Sequence, residues 1–309
     1  MFNVPIVFII YKRIDTAIRV FETIKKAKPK KLYLVSDGPK NETEEKPCSY
    51  LRDKFEKEIN WECKLVKVYS ENNLGCAKRV QTGLDFVFQY ENYAIILEDD
   101  TLPDPSFFNF CENLLSYYQD DKRVAHISGC NLHPDVVNFN ESYCFSSIIN
   151  IWGWATWKRA WDNYDINMST WNKQNKDKFL SKWCSSKQNK QFVRNIFDIH
   201  TNNSDPWTWD TQWMYSCWEM NSISIIPSTN LVSNIGIGPD ATNTKSNKKI
   251  SMFPSKLKSI RFPLQHPSVF LNKSFDVLYH SKCSVSKFRK VLNKILLLKK
   301  TLKSIIHSS

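Results

Sequence analysis

Four short apolar runs before residue 100, each leading into polar or helically spaced sequence, constrain this chain more than any other feature. Residues 5–11 (PIVFIIY), 31–36 (KLYLVS), 63–69 (CKLVKVY) and 93–97 (YAIIL) read as strands, the first two as fully buried ones. After the first run come Asp15 and then Ala17, Ile18, Phe21 and Ile24 on one helical face. After the third, Val80, Leu84, Val87 and Phe88 share a side of a segment starting near Cys76, and after the fourth Phe107, Phe110, Leu114 and Tyr117 do the same. This alternation predicts an α/β fold, a sheet of four or five strands covered by helices, with functional loops at the strand carboxyl ends. Residues 124–129 and 222–227 are further strand candidates, 40–60 reads as a polar connection, and 155–220 as mostly helical.

The length, 309 residues, allows one large α/β domain or two modest ones. The formal charge of +12 invites a nucleic-acid reading, but its distribution argues against one. Residues 241–309 hold 15 basic residues and a single acid, Asp276, which leaves residues 1–240 at −2. No aromatic platform is interleaved with the basic residues, so no nucleic-acid partner is expected. In the tail, Phe288, Val291, Leu292, Ile295, Leu298, Leu302 and Ile305 recur every three or four residues among lysines. That is a basic amphipathic helix over about 285–309, suited to an anionic membrane face, a protein partner or its own domain. Nine cysteines form no CxxC pair and read as ordinary thiols. The opening MFNVPIVFIIYKR has no basic residue ahead of its apolar run and meets Lys12 and Arg13 too soon for a signal peptide or a span, which reads as a cytoplasmic chain.

Glu98-Asp99-Asp100 is the sharpest local signal, three carboxylates where an apolar strand ends. Hard divalent cations take oxygen ligands, and one carboxylate with diphosphate oxygens could hold Mn²⁺ or Mg²⁺; a solvated acidic turn is the plainer alternative. If the strand persisted, Glu98 and Asp100 would face one way and Asp99 the other. Asp37, between a strand and Gly38-Pro39, could accept from a base N–H or cap its own turn. Arg13 could meet a phosphate or an exposed carboxylate. Lys78 and Arg79 follow NNLGCA at a helix start, where free N–H groups also suit phosphate. Asp210, in PWTWDTQW, could serve as a general base or cap a helix. His126, His133 and His200 lack ligand spacing and read as structural or surface residues. Ten of the 11 tryptophans fall between Trp152 and Trp218, as core or as groove wall. No GxGxxG or P-loop is present, which weighs against dinucleotide binding and ATPase chemistry.

Taken together, PIVFIIYKR, LVSDGP, IILEDDTLPDPSFFNF, WGWATWKRAW and WTWDTQW resemble, in order and spacing, the nucleotide-sugar glycosyltransferases of GT-A type. The closer likeness is to bacterial glycosyltransferase 2-like proteins, with a distant one to the N-acetylglucosaminyltransferases that start hybrid and complex N-glycans. It covers about residues 4–244. The resemblance implies a mixed central sheet flanked by helices, with a catalytic domain over 1–250, its nucleotide-sugar half at 1–130 and its acceptor half at 131–250, and a basic extension over 251–309. It places the diphosphate contact on Arg13, uracil recognition on Asp37, the metal on Asp100, the lining of the nucleotide-sugar site on Glu98 and Asp99, and the base on Asp210. Arg79 remains a candidate phosphate contact. A loop resembling IGIGPDATNT has histidine in many relatives where Asn243 stands here, so no metal ligand is assigned there.

The implied reaction is metal-dependent, inverting transfer from a nucleoside-diphosphate sugar, expected to be UDP-linked, to a saccharide or lipid-linked acceptor, in bacterial surface glycan synthesis. Two other classes fit some of the same residues: a sugar-phosphate nucleotidyltransferase, which would release pyrophosphate, and a non-catalytic membrane-associated adaptor.

Overall fold

The structure, a computed structural model, describes residues 2–135, 140–203, 205–236 and 256–282. Its elements in chain order are β1 (Ile6–Ile10), α1 (Ile14–Ala27), β2 (Lys31–Ser36), α2 (Glu42–Glu58), β3 (Lys64–Tyr69), α3 (Gly75–Val87) and β4 (Tyr93–Glu98). There follow β5 (Thr101–Pro103), α4 (Ser106–Tyr117), β6 (Val124–Ser128), β7 (Tyr143–Ser146), β8 (Trp154–Trp157), α5 (Lys158–Trp161), α6 (Lys176–Trp183), α7 (Lys187–Thr201), α8 (Asp210–Glu219), β9 (Ile223–Pro227), β10 (Val232–Asn234) and α9 (Lys273–Lys282). The fold is a mixed α/β sheet flanked by helices, as expected, but with eight strands rather than four or five, in the order β3-β2-β1-β4-β8-β6-β9-β7.

β6 and β9 fall on the further strand candidates at 124–129 and 222–227, and β7 and β8 are the strands without a sequence signal. Both are four residues long and buried at every position, so YCFS and WATW show neither alternation nor length to mark them as strands. β8 enters antiparallel between β4 and β6. Strands from before and after residue 130 therefore share one continuous sheet. The polar connection expected over 40–60 is instead the helix α2, whose apolar signal is confined to Cys48, Leu51 and Phe55 and whose interior carries Pro47.

Two apolar layers sandwich the sheet. On one side Phe8 of β1, Phe21 of α1 and Phe55 of α2 pack ring to ring, with Phe21 and Phe55 4.3 Å apart. On the other, Val7, Tyr33 and Val35 meet Val80 and Leu84 of α3, and Trp154 stacks on Trp209 at 5.2 Å beside Trp213. Eight of the tryptophans are buried, so most of this residue type is core.

Packing also continues past residue 250. Ile260, Leu264, Phe275 and Tyr279 are buried. Lys258 N–H donates to the Asn230 carbonyl and Asn272 N–H to that of Phe145. Asp276 of α9 accepts from the Ser146 and Ser147 hydroxyls and from Ser147 N–H. Residues 256–282 are thus part of the folded body, and a boundary at 250 does not mark where it ends. The helix expected over 285–309 lies outside the described residues, as does Asn243. Among the described residues, no helix is long and apolar enough to cross a membrane.

Candidate active site

β1, β2 and β4 are mutually parallel, so their carboxyl ends lie along one edge of the sheet. That geometry alone gathers Arg13, Asp37 and Glu98–Asp100, and α3 begins at the same edge. Each has a different fate.

β4 stops at Glu98 and the chain turns into β5, so the alternation expected of a persisting strand is lost. Asp99 is turned under, 3% exposed, and accepts from Tyr11 N–H and from Nη2 of Arg13. Arg13 Nη1 donates to Asp100 Oδ2 at 2.8 Å. Burial lowers the guanidinium's pKa, but the two carboxylates outweigh it and raise it overall. Arg13, expected to meet diphosphate, is therefore already neutralised by Asp99 and Asp100, with the second hydrogen of each terminal nitrogen left for a ligand. Asp99, expected to line the donor site, instead anchors Arg13.

Asp100 keeps one free side. Oδ2 also takes a long contact from Asn234 Nδ2, 3.4 Å, whereas Oδ1 has no donor among the described residues. Ile235 N–H binds the Asp100 carbonyl, which lays the chain after β10 across the carboxylate. Gly236 permits that approach, because a Cβ there would stand 2.4 Å from Asp100 Oδ2. Glu98 makes no side-chain hydrogen bond among the described residues. It is crowded by protein yet reached by solvent, and burial followed by the charges of Asp100 and Asp99 pushes its pKa up to about 8.

Asp37 follows the opposite course. Oδ1 accepts from Gly38 and Leu74 N–H, and Oδ2 from Gly75 N–H and Asn73 Nδ2, all between 2.9 and 3.1 Å. These four donors fill a carboxylate's acceptor positions. Asp37 thereby holds the turn that starts α3, in which Gly75 takes φ 76, a conformation suited to glycine. A base N–H could reach Asp37 only by displacing Asn73, whose amide nitrogen is already divided among Asp37, Tyr11 and the Gly38 carbonyl. Arg79, one turn into α3, is 5% exposed, and its Nε has no partner among the described residues. Burial lowers its pKa against the pull of Asp37. It lies within the fold near Asp37, not on the open face where a phosphate contact was expected.

Asp210 opens α8 as its first residue, with Trp209 at the cap position. Its Oδ1 accepts from Thr211 N–H at 2.8 Å and from the Thr208 hydroxyl, leaving Oδ2 without a donor among the described residues. The charge of Asp210 helps to raise Glu98, and after burial it is Glu98, Asp210, Asp100 and Asp99 that hold the Cys76 thiol up. Cys76, exposed at the start of α3, thus lies within electrostatic reach of both the end of β4 and the start of α8. His200 borders Asp210 and stacks on Trp207 at 4.2 Å. His126 is structural: Nε2 donates to the Asn150 carbonyl and Nδ1 accepts from Trp213 Nε1. Sequence reasoning missed Asn73, Cys76, Asn234 and Gly236. The NNLG turn signal could have pointed to Asn73, whereas the other three matter only through a tertiary approach.

No group of three or more His, Cys, Asp or Glu among the described residues could hold a metal. A resident, all-protein metal centre therefore does not fit. A divalent cation shared with substrate phosphates does, since such ions take one or two carboxylates plus phosphate oxygens and water. Asp100 Oδ1 and the unpartnered Glu98 are the oxygens open to it.

No family model and no curated protein matches the chain. Among solved structures it is similar to S. aureus TarS 1–349, with 11% identity and TM-score 0.36 over 54% of this chain and 50% of that one. It is also similar to the mannosyltransferase PcManGT from Pyrobaculum calidifontis in complex with GDP-Man and Mn²⁺, with 15% identity and TM-score 0.34 over 50% of this chain and 45% of that one. A third likeness is to UDP-glucose pyrophosphorylase complexed with UDP-glucose, with 9% identity and TM-score 0.35 over 72% of this chain and 90% of that one. The chain spans about half the length of the first two. These likenesses are partial, and the functional reading rests on the geometry of the site.

Proposed function

We propose that this protein is a glycosyltransferase that moves a sugar, with inversion, from a nucleoside-diphosphate sugar, UDP-linked, to a hydroxyl of a saccharide or glycolipid acceptor, with Mn²⁺ or Mg²⁺ bound alongside the donor. One observation carries the reading. Three carboxyl groups that influence one another's charge, Glu98, Asp100 and Asp210, each keep at least one oxygen without a donor among the described residues.

Unpaired carboxylates crowded in this way are costly. They repel a diphosphate unless cationic charge accompanies it, and Arg13 is already neutralised. A divalent ion would be held by Asp100, with Glu98 beside it, and would supply charge stabilisation for the departing diphosphate. Asp210 is suited to take the acceptor's proton: Thr208 and Thr211 fix one carboxylate oxygen, and the other is open to a hydroxyl. With a single open base on the acceptor side, direct displacement at the anomeric carbon needs no covalent glycosyl-enzyme. Asp37 shapes the nucleotide end by holding the 72–75 turn, and Asn73 is the group that would yield to a base.

Calorimetry with UDP, GDP, CDP and dTDP sugars, each with and without Mn²⁺, tests the reading. Metal-dependent binding of one donor, weakened about 100-fold in Asp100→Ala, is the expected result. Donor binding indifferent to both metal and Asp100 would refute it. Release of pyrophosphate on turnover, instead of a nucleoside diphosphate, would reassign the chain as a nucleotidyltransferase.

A further inference from the structure

The segment 256–282 returns over the domain, and its outward side has an unusual composition. Of the large hydrophobic side chains exposed among the described residues, Phe262, Phe270, Val277 and Leu278 all belong to it, with Phe270 66% exposed. Every exposed charge of the segment is positive: Lys256, Lys258, Arg261 and Lys273. Its one acid, Asp276, is 4% exposed and turned inward onto Ser146 and Ser147. On α9 the separation is by helical face. Phe275, Asp276 and Tyr279 point into the body, while Lys273, Ser274, Val277 and Leu278 line one shallow outer surface.

We propose that the outer face of α9, together with the Phe270 side chain that precedes it, is a docking surface for an anionic lipid bilayer. Charge complementarity selects this occupant. The charged side chain of this face, Lys273, and the exposed Lys256, Lys258 and Arg261 earlier in the same segment are all positive, which suits a bilayer surface, where the apolar groups enter the headgroup boundary and the cations meet anionic heads. A second copy of the same face would bring like charges together. The inward turn of Asp276 removes the one negative charge that would repel such a surface, and the basic sequence of 283–309 continues directly from this helix. The surface is independent of the glycosyl-transfer reading, since it uses none of the residues of the candidate active site.

The experiment is co-sedimentation of the full chain with vesicles of equimolar phosphatidylglycerol and phosphatidylcholine, and with phosphatidylcholine alone. Binding to the anionic vesicles only is expected. It should weaken about tenfold or more in Phe270→Ser/Val277→Ser/Leu278→Ser and several-fold in Lys273→Glu. Both variants should keep the unfolding midpoint of the parent, because the altered side chains are exposed. Absence of binding to anionic vesicles would overturn the proposal. So would binding that salt abolishes but that neither variant changes, which would assign it to residues 283–309 alone. Concentration-dependent dimerisation without lipid, lost in the triple variant, would reassign the face to a second copy of the chain.

Discussion

Asp37 and Asp100 stand at the ends of the strands that flank β1, and the fold treats them in opposite ways. Asp37 has every acceptor position filled by its own chain, whereas among the described residues Asp100 keeps one oxygen without a donor and Glu98 beside it makes no side-chain hydrogen bond. The filled carboxylate holds the 72–75 turn at the start of α3. The open ones leave a deficit of positive charge that only solvent or a cationic ligand can meet. The same edge of the sheet is thus divided into a rigid end and a reactive end, and substitutions at the two should fail in different ways.

The largest effect is expected at the reactive end. Asp210→Asn keeps the oxygen that accepts from Thr208 and Thr211 but loses the proposed base, so transfer should fall by about 10²–10⁴-fold while the fold and donor affinity persist. Initial rates at saturating donor, set beside calorimetric donor binding, separate the two. Near-normal transfer by this variant would remove Asp210 from the base role.

Asp37→Ala should behave as a structural lesion. It orphans the Leu74 and Gly75 N–H groups and takes the nearest carboxylate from the buried Arg79, at a cost of about 2–4 kcal/mol in urea unfolding. Above about pH 8, Glu98→Gln removes a charge that burial, Asp100 and Asp99 disfavour and that no donor among the described residues holds, so it should there stabilise the protein by about 1 kcal/mol. If both variants shifted the midpoint in the same direction, the contrast between a filled and an open carboxylate would fail.

Acid should loosen the helix that carries Asp210. Burial lowers the pKa of His126 to about 4, against the hydrogen bond to Asn150, and burial lowers that of His200 to about 4 against the charge of Asp210. Both folded values lie below the ordinary 6.5, so between these pH values the unfolded chain binds more protons. The stabilisation is complete above about pH 6.5 and is lost as pH falls toward 4, by about 3 kcal/mol for His126 alone. Protonation also turns Nδ1 into a donor facing Trp213 Nε1 of α8. Denaturant titrations across this window should show the slope, and His126→Asn should flatten it; an unchanged slope would assign the acid sensitivity elsewhere.

The contrast between the two ends also explains what sequence could read. The strands β1, β2 and β4 were legible because their apolar runs are long and bounded by polar sequence, and with them the edge that gathers Arg13, Asp37 and Asp100. The pairing of Arg13 with Asp99 was not, since it depends on β4 ending at Glu98, two residues before the acidic run does. The filling of Asp37 was hidden as well, because three of its four donors come from a turn some 36 residues away. β8 was invisible for a different reason: WATW has the composition of the tryptophan-rich helices around it, and only its insertion between β4 and β6 makes it a strand.

Cys76 gives the smallest effect and the most local test. It is exposed, so a small alkylating reagent can reach it, yet burial by its neighbours and the four carboxylates keep its thiol protonated well above the ordinary range. Thiolate is the reacting form, so alkylation should be slow for an accessible cysteine. At pH 9, where Glu98 is ionised, removing one of those charges through Glu98→Gln should speed it about threefold. Asp37→Asn should leave the rate unchanged, because the Asp37 carboxylate is not among the charges that hold Cys76 up. Mass spectrometry of the Cys76 peptide reads the rate separately from the buried thiols. Equal acceleration by both variants would mean that Cys76 reports general loosening of the α3 turn and not the open carboxylates of the candidate active site.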